Sequence, residues 1–180
     1  IGTSSDIIVE RWNRIPFDKP YTRLAETLDF LRAVLDGGRA EGFRLPAPPA
    51  ERVPIVLGSM RPRALRLAGA KGDGIAINLV PAGSLGHILA PVHEGAREAG
   101  RDPDTLEVVQ RLIVAVGRPE EAELAARRWV IAYAQVEVYR TFFHAIGLGA
   151  ALEPAIEAFL EGRREESLGT LVEACRACHD

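Results

Sequence analysis

Cysteine is nearly absent: the chain of 180 residues has two, Cys175 and Cys178, both within its last six residues. No disulfide framework can staple the body, a pattern that suits a reducing cytoplasm. Aromatic residues make up 6% and the formal net charge is -3, so neither the basic footprint nor the stacking rings of a nucleic-acid binder are present. No uncharged apolar run is long enough to cross a bilayer, and the start lacks the charged-then-apolar order of a signal peptide. These shortages predict a cytoplasmic protein with neither nucleic acid nor membrane as a partner.

Signature motifs are missing too. Neither the nucleophile elbow G-x-S-x-G nor the P-loop spacing occurs. The glycines of "GAKGDG" (Gly69, Gly72, Gly74) follow a helical pattern and precede a strand, the reverse of what a phosphate cradle needs. Of the histidines, His87, His93 and His144 have no second ligand at metal spacing, so no metal site is expected. The acidic pairs Glu120-Glu121 and Glu165-Glu166 suit helix surface better than paired acid and base.

What is present is alternation. Pro20 opens a helix whose Leu24, Leu28, Leu31 and Leu35 recur at three- and four-residue steps until Gly37-Gly38. "VPIVLG" and "GIAINLVP" are continuous apolar runs that suit strands covered by helices, with the helix "PRALRLAGAK" between them. Ser84 is placed to cap a further helix in which Pro91 predicts a kink or a later start. "LEVVQRLIVAVG" supplies another strand, and from Pro119 onward only helices are predicted, broken near Gly147–Gly149 and Gly162. Counting a stub at Ile1-Gly2, four strands joined by helices imply an α/β fold with parallel pairing and ligands at the strands' carboxyl ends. An open doubly wound sheet and part of a (β/α)8 barrel both fit this pattern.

Three segments put small or polar residues just past a strand: Gly2-Thr3-Ser4-Ser5-Asp6, Gly58-Ser59-Met60-Arg61-Pro62 and Asn78-Leu79-Val80-Pro81. Glycine permits close approach, and amides and hydroxyls can donate to a phosphate at the next helix's start. The same residue types also make ordinary turns and caps.

The order of these segments carries a resemblance. "GTSSD" leads into "PFDKP" and "RLAETLDFLR"; then come "VPI", a glycine turn before proline, "LAGAKGDG" and "GRDP". This resembles the bacterial luciferase-like monooxygenase superfamily, within it the branch that uses the deazaflavin coenzyme F420, over about residues 1 to 147. The resemblance implies a partial TIM (β/α)8 barrel with a helical insertion near the C-terminus. Residues 1–147 would be its middle and later part and 148–180 a helical segment of the same domain. An amino-terminal Ile1 and the chain's length lead us to expect a piece of a longer protein, which as a whole would be a homo-oligomer.

By the same resemblance the chain is an oxidoreductase moving a hydride between coenzyme F420, or alternatively FMN, and a small organic substrate. Gly2, Thr3, Ser4 and Ser5 match a cofactor-contacting loop. Gly58, Ser59, Met60 and Arg61 match the turn that holds phosphate or tail groups, although Met60 and Arg61 stand where relatives often have a smaller residue. Asn78 matches a pocket wall, and Arg11, Arg14, Arg61 and Arg63 could form a basic rim. No catalytic acid or base is assigned. The terminal Cys175-x-x-Cys178-His179 has the spacing of covalent haem attachment, so a redox or haem module is an alternative function. A non-catalytic barrel fragment is another.

Overall fold

The computed structural model describes residues 1–177, with side chains through Leu171. The C-x-x-C-H motif therefore lies outside the described side chains. Two compact units are present, Ile1–Gln110 and Arg111–Asp180.

In the first unit, α1 (Pro20–Leu35) begins with proline at its first turn and buries Leu24, Leu28 and Val34. Gly37 ends it at φ +83°, with the Gly38 amide returning to the Ala33 carbonyl at 2.8 Å. Only glycine takes that backbone without strain. After the proline-rich connection come β1 (Val56–Gly58), α2 (Pro62–Lys71), β2 (Gly74–Asn78), α3 (Leu85–Glu98) and β3 (Glu107–Arg111). The strands form one sheet in the order β1-β2-β3. β1 and β2 run parallel with Val56 opposite Gly74, Leu57 opposite Ile75 and Gly58 opposite Ala76. Gly2 bridges in parallel to Gly58, so the stub extends the sheet beyond β1.

Alternation along the strands separates two faces. Leu57, Ile75 and Ile77 are buried, and α2 packs on both β1 and β2. α2 and α3 meet through glycines: a Cβ at Gly69 would stand 1.8 Å from the Val92 carbonyl oxygen, and one at Gly95 would stand 2.1 Å from that of Arg66. These two positions let the helix backbones approach more closely than any side chain allows.

Asp73, just before β2, ties the amino ends of the strands together. Its carboxylate accepts from the Ile55 amide at 2.6 Å and pairs with Arg32 and Arg52, while its backbone bonds Ile55 and Glu107. Burial works against the ionised carboxyl, but the Ile55 amide and the two guanidiniums outweigh it and hold the group below the usual carboxylate range.

Two sequence expectations are corrected. Ser84 makes no side-chain cap, and α3 starts at Leu85 rather than at Pro91, continuing past it to Glu98. Packing of Ile88, Val92 and Ala96 against α2 overrides the proline's lost hydrogen bond. The strand expected to reach Gly117 ends at Arg111. Its neighbour in the sheet, β2, also has five residues, and the Glu107 amide that opens β3 donates to the Asp73 carbonyl just before β2.

The second unit consists, among the described residues, of α4 (Pro119–Ala134), α5 (Glu137–Ala145), α6 (Gly149–Leu160) and α7 (Arg164–Ala177). Ile131, Phe142, Phe143, Leu152, Ile156 and Leu171 form its core. Ser167 is fully buried there and donates its hydroxyl to the Ala155 carbonyl at 2.6 Å. Glu121 and Glu166 pair with Arg118 and Arg163 on the surface, the role expected of them.

Candidate functional site

The parallel register sets where the three polar segments fall. Gly2 bridges Gly58, and Gly58 lies opposite Ala76, two residues before Asn78. Gly2–Ser5, Gly58–Arg61 and Asn78 therefore gather at the carboxyl ends of adjacent strands, on one rim of the first unit. All nine residues expected to form the site belong to this rim.

Their neighbours reveal a feature that sequence reasoning missed. Gly2, Gly58 and Ala76 make a row of the smallest residues across three adjacent strands. Ala76 is exposed although Ile75 and Ile77 beside it are buried, so it lies on the face turned away from α2. Asn78 shares the parity of Ala76 and is half-buried. A Cβ at Gly58 would meet nothing closer than the Ile1 oxygen at 3.8 Å, so this backbone is open to a bound group. At Gly2 the same atom would come within 2.7 Å of the Gly58 oxygen, so glycine there secures the strand pairing itself.

Local hydrogen bonds shape the loops. Ile1 donates through its amino group to the Val56 oxygen at 2.7 Å, and the Gly58 amide donates to Ile1 at 2.6 Å. Ser59 accepts from the Arg61 amide at 3.2 Å, turning the chain into α2, where Pro62 occupies the first turn. Ser5 accepts from the Ile8 amide through its hydroxyl at 3.4 Å and from the Val9 amide through its carbonyl at 2.9 Å. That pair starts a π-helical turn, Ile7–Trp12, where the sequence suggested only a loop before a helix. π turns recur at functional sites.

Among the described residues, two of the five non-glycine residues with left-handed backbone lie here. Ser4 (φ 58°) and Leu79 (φ 54°) sit in the left-handed region directly after the strand ends. For a bulky residue such as Leu79 that is a true outlier, and strain of this kind persists where surrounding structure demands it. Leucine gives no sequence sign of such a role.

The basic rim is only partly assembled. Arg61 is exposed beside Ser59, whereas Arg63 lies over the Tyr21 ring with its guanidinium carbon 3.8 Å from the centroid. The donors on the rim are hydroxyls, backbone amides and one guanidinium, which suit an anionic group with an extended polar chain. No group of three or more histidine, cysteine or acidic side chains able to hold a metal occurs among the described residues. None of the described helices is long and apolar enough to cross a membrane.

Comparison with known proteins agrees with this architecture. The chain is 25% identical over 142 residues to 5,10-methylenetetrahydromethanopterin reductase of Archaeoglobus fulgidus, a match covering 74% of this chain and 42% of that protein. The coenzyme F420-dependent tetrahydromethanopterin reductase of Methanopyrus kandleri superposes with a TM-score of 0.63 at 16% identity, over 94% of this chain and 56% of that one. An F420-dependent secondary alcohol dehydrogenase, solved with an F420-acetone adduct, gives 0.61 at 22% identity, over 73% and 44%. The chain thus spans less than half the length of the curated relative, and its α/β fold is that of part of their (β/α)8 barrel. The family model for luciferase-like monooxygenases matches residues 1–176, and the chain belongs to that family.

Proposed function

We propose that this chain forms the cofactor-holding part of an oxidoreductase that uses coenzyme F420, with residues 1–147 contributing to the barrel and 148–180 to the same domain. The observation that carries the reading is the row Gly2, Gly58 and Ala76 beneath three polar strand ends. Such a row lets a flat group lie close over the sheet, with the hydroxyls and amides of the loops just beyond the strand ends within its reach. The relatives named above supply the cofactor class: two of the solved structures are described as F420-dependent.

When bound, the deazaflavin ring supplies or accepts a hydride. Around it, the amides and hydroxyls of Thr3, Ser4 and Ser5 would hold one side, the Ser59 hydroxyl would donate to a phosphate or the acidic tail, and Arg61 would neutralise its charge. Asn78 closes the wall through its amide. Met60, half-buried between Ser59 and Arg61, would add an apolar contact. All of these residues bind and orient; none is a base suited to moving a proton at neutral pH.

The test is a fluorescence titration of the purified chain with F420 and, in parallel, FMN. Saturable F420 binding is expected, weakened at least tenfold by Ser59→Asp, which sets a carboxylate against the anion. Failure of F420 to bind, or an unchanged affinity in Ser59→Asp, would refute the reading. Tighter binding of FMN would reassign the cofactor.

A further inference from the structure

β3, at the end of the strand order, inverts the usual placing of polar and apolar residues. Val108 and Val109 are exposed, whereas Gln110 is half-buried and the other four residues of the strand are not. A shielded side-chain amide needs a partner, and Gln110 finds one across the sheet: its Nε2 donates to the Val80 carbonyl at 2.7 Å. β2 ends at Asn78, so this bond catches the chain after the strand has stopped. At the opposite end the Glu107 amide donates to the Asp73 carbonyl, and the two contacts together hold β3 along the whole of β2.

Leu79 lies between two anchors. On one side its backbone is continuous with β2. On the other, Val80 is buried and its carbonyl is held by Gln110; the proline that follows restricts Val80 to extended backbone. Leu79 joins these fixed ends at φ 54°, a conformation that leucine does not adopt of its own accord. Freed of one anchor, it would return to negative φ. Since the Val80 side chain stays in the core, the peptide group that turns is the one shared with Asn78.

We propose that Gln110 is a positioning residue for the rim: by holding the Val80 carbonyl it keeps Leu79 left-handed and so sets the direction in which Asn78 meets the bound group. Its bearing on the cofactor rests on the function proposed above, whereas the clamp on Leu79 does not, so the two are separable. Gln110→Leu keeps the volume and removes the donor. In the full chain this variant should move the Leu79 Cα and Cβ chemical shifts out of the left-handed range. F420 affinity, titrated well below the melting transition so that only folded molecules are read, should fall about 3- to 10-fold, the range of one neutral hydrogen bond. Leu79→Gly supplies the rescue, because glycine takes left-handed backbone unaided. In that background the loss caused by Gln110→Leu should shrink to less than about twofold. Should Gln110→Leu fail to fold, Gln110→Glu gives the same comparisons, since a carboxylate at neutral pH has no proton to donate. Unchanged Leu79 shifts, an unchanged affinity in a chain that binds F420, or an equal loss in both backgrounds would overturn the proposal, and a lowered melting temperature alone would make Gln110 a merely structural residue. Leu79 shifting in Gln110→Leu while the parent chain binds no F420 would refute the cofactor reading and leave the clamp standing.

Discussion

Gly58→Val separates what the protein needs from what its ligand needs. In the folded chain a Cβ at this position meets only the Ile1 and Ala76 oxygens, at 3.8 and 3.9 Å, which is ordinary contact. Its φ lies outside the left-handed region, so a branched residue fits the strand. Replacing glycine in a strand by valine removes backbone entropy from the unfolded chain and improves strand propensity, together worth about 0.5–1 kcal/mol in favour of folding. A bound group sees the opposite: the new methyl groups stand where it would lie against the sheet and lift it away from the loop donors beyond the strand ends. Losing one charge-assisted hydrogen bond costs about 1.5–3 kcal/mol, equivalent to roughly 10- to 150-fold in Kd. The variant should therefore melt at the same temperature or higher while its F420 affinity, read by fluorescence, falls by that factor. Unchanged affinity with unchanged stability would show that nothing binds over the glycine row. A large loss of stability would show that the open space at Gly58 belongs to the fold.

Other perturbations test the frame. Asp73→Asn should destabilise the first unit by about 2–3 kcal/mol in urea melts, less than a fully buried pair because Arg52 is 57% exposed. Because the folded carboxyl lies below its ordinary value, its stabilisation is complete above the unfolded value near 4 and is lost as pH falls through the folded one. Acid melts of Asp73→Asn should accordingly be flatter than those of the parent in that window, and parallel curves would contradict the assignment. Gly69→Val should separate α2 from α3 and cost more than ~3 kcal/mol, seen as a collapse of the thermal midpoint; a small shift would mean that the contact is loose. Ser167→Ala removes a buried hydroxyl bond and leaves the Ala155 carbonyl short of a partner, for a loss of about 1–2 kcal/mol by the same melts.

Much of the frame was legible in the sequence because its signals are local. Pro20, Pro62 and Pro119 mark helix starts, and Gly37 and Gly162 mark stops, since each residue constrains its own backbone whatever surrounds it. What failed depended on neighbours. β3 ends at Arg111 beside a five-residue β2, and how far an edge strand extends depends on its neighbour, which is encoded elsewhere in the chain. Pro91 is tolerated because α2 holds α3 in place, which no window around Pro91 contains. In the site, Gly2, Ser59 and Asn78 could be chosen by residue type. Ala76 could not, since alanine announces nothing and matters only through its register with Gly58.

β2 makes the division of labour between the two ends of the sheet concrete. At its amino end Asp73 gathers two guanidiniums and a backbone amide into a partly buried knot. Five residues later Asn78 and the left-handed Leu79 open onto the rim. Stability and strain are thus kept apart by the length of one strand, about 17 Å at 3.3 Å per residue. That separation lets the carboxyl-end loops accept strained backbone, because the charged knot that joins β1, β2 and β3 lies at the far end. In barrels of this kind conservation at the amino face answers to stability and the loops at the carboxyl face answer to chemistry. It follows that destabilising the Asp73 knot should lower the melting temperature without changing the affinity of the molecules that remain folded, whereas changes at Gly58 or Ser59 should alter affinity without lowering the melting temperature. A single variant at either end that moved both quantities together would show the two ends to be coupled through β2.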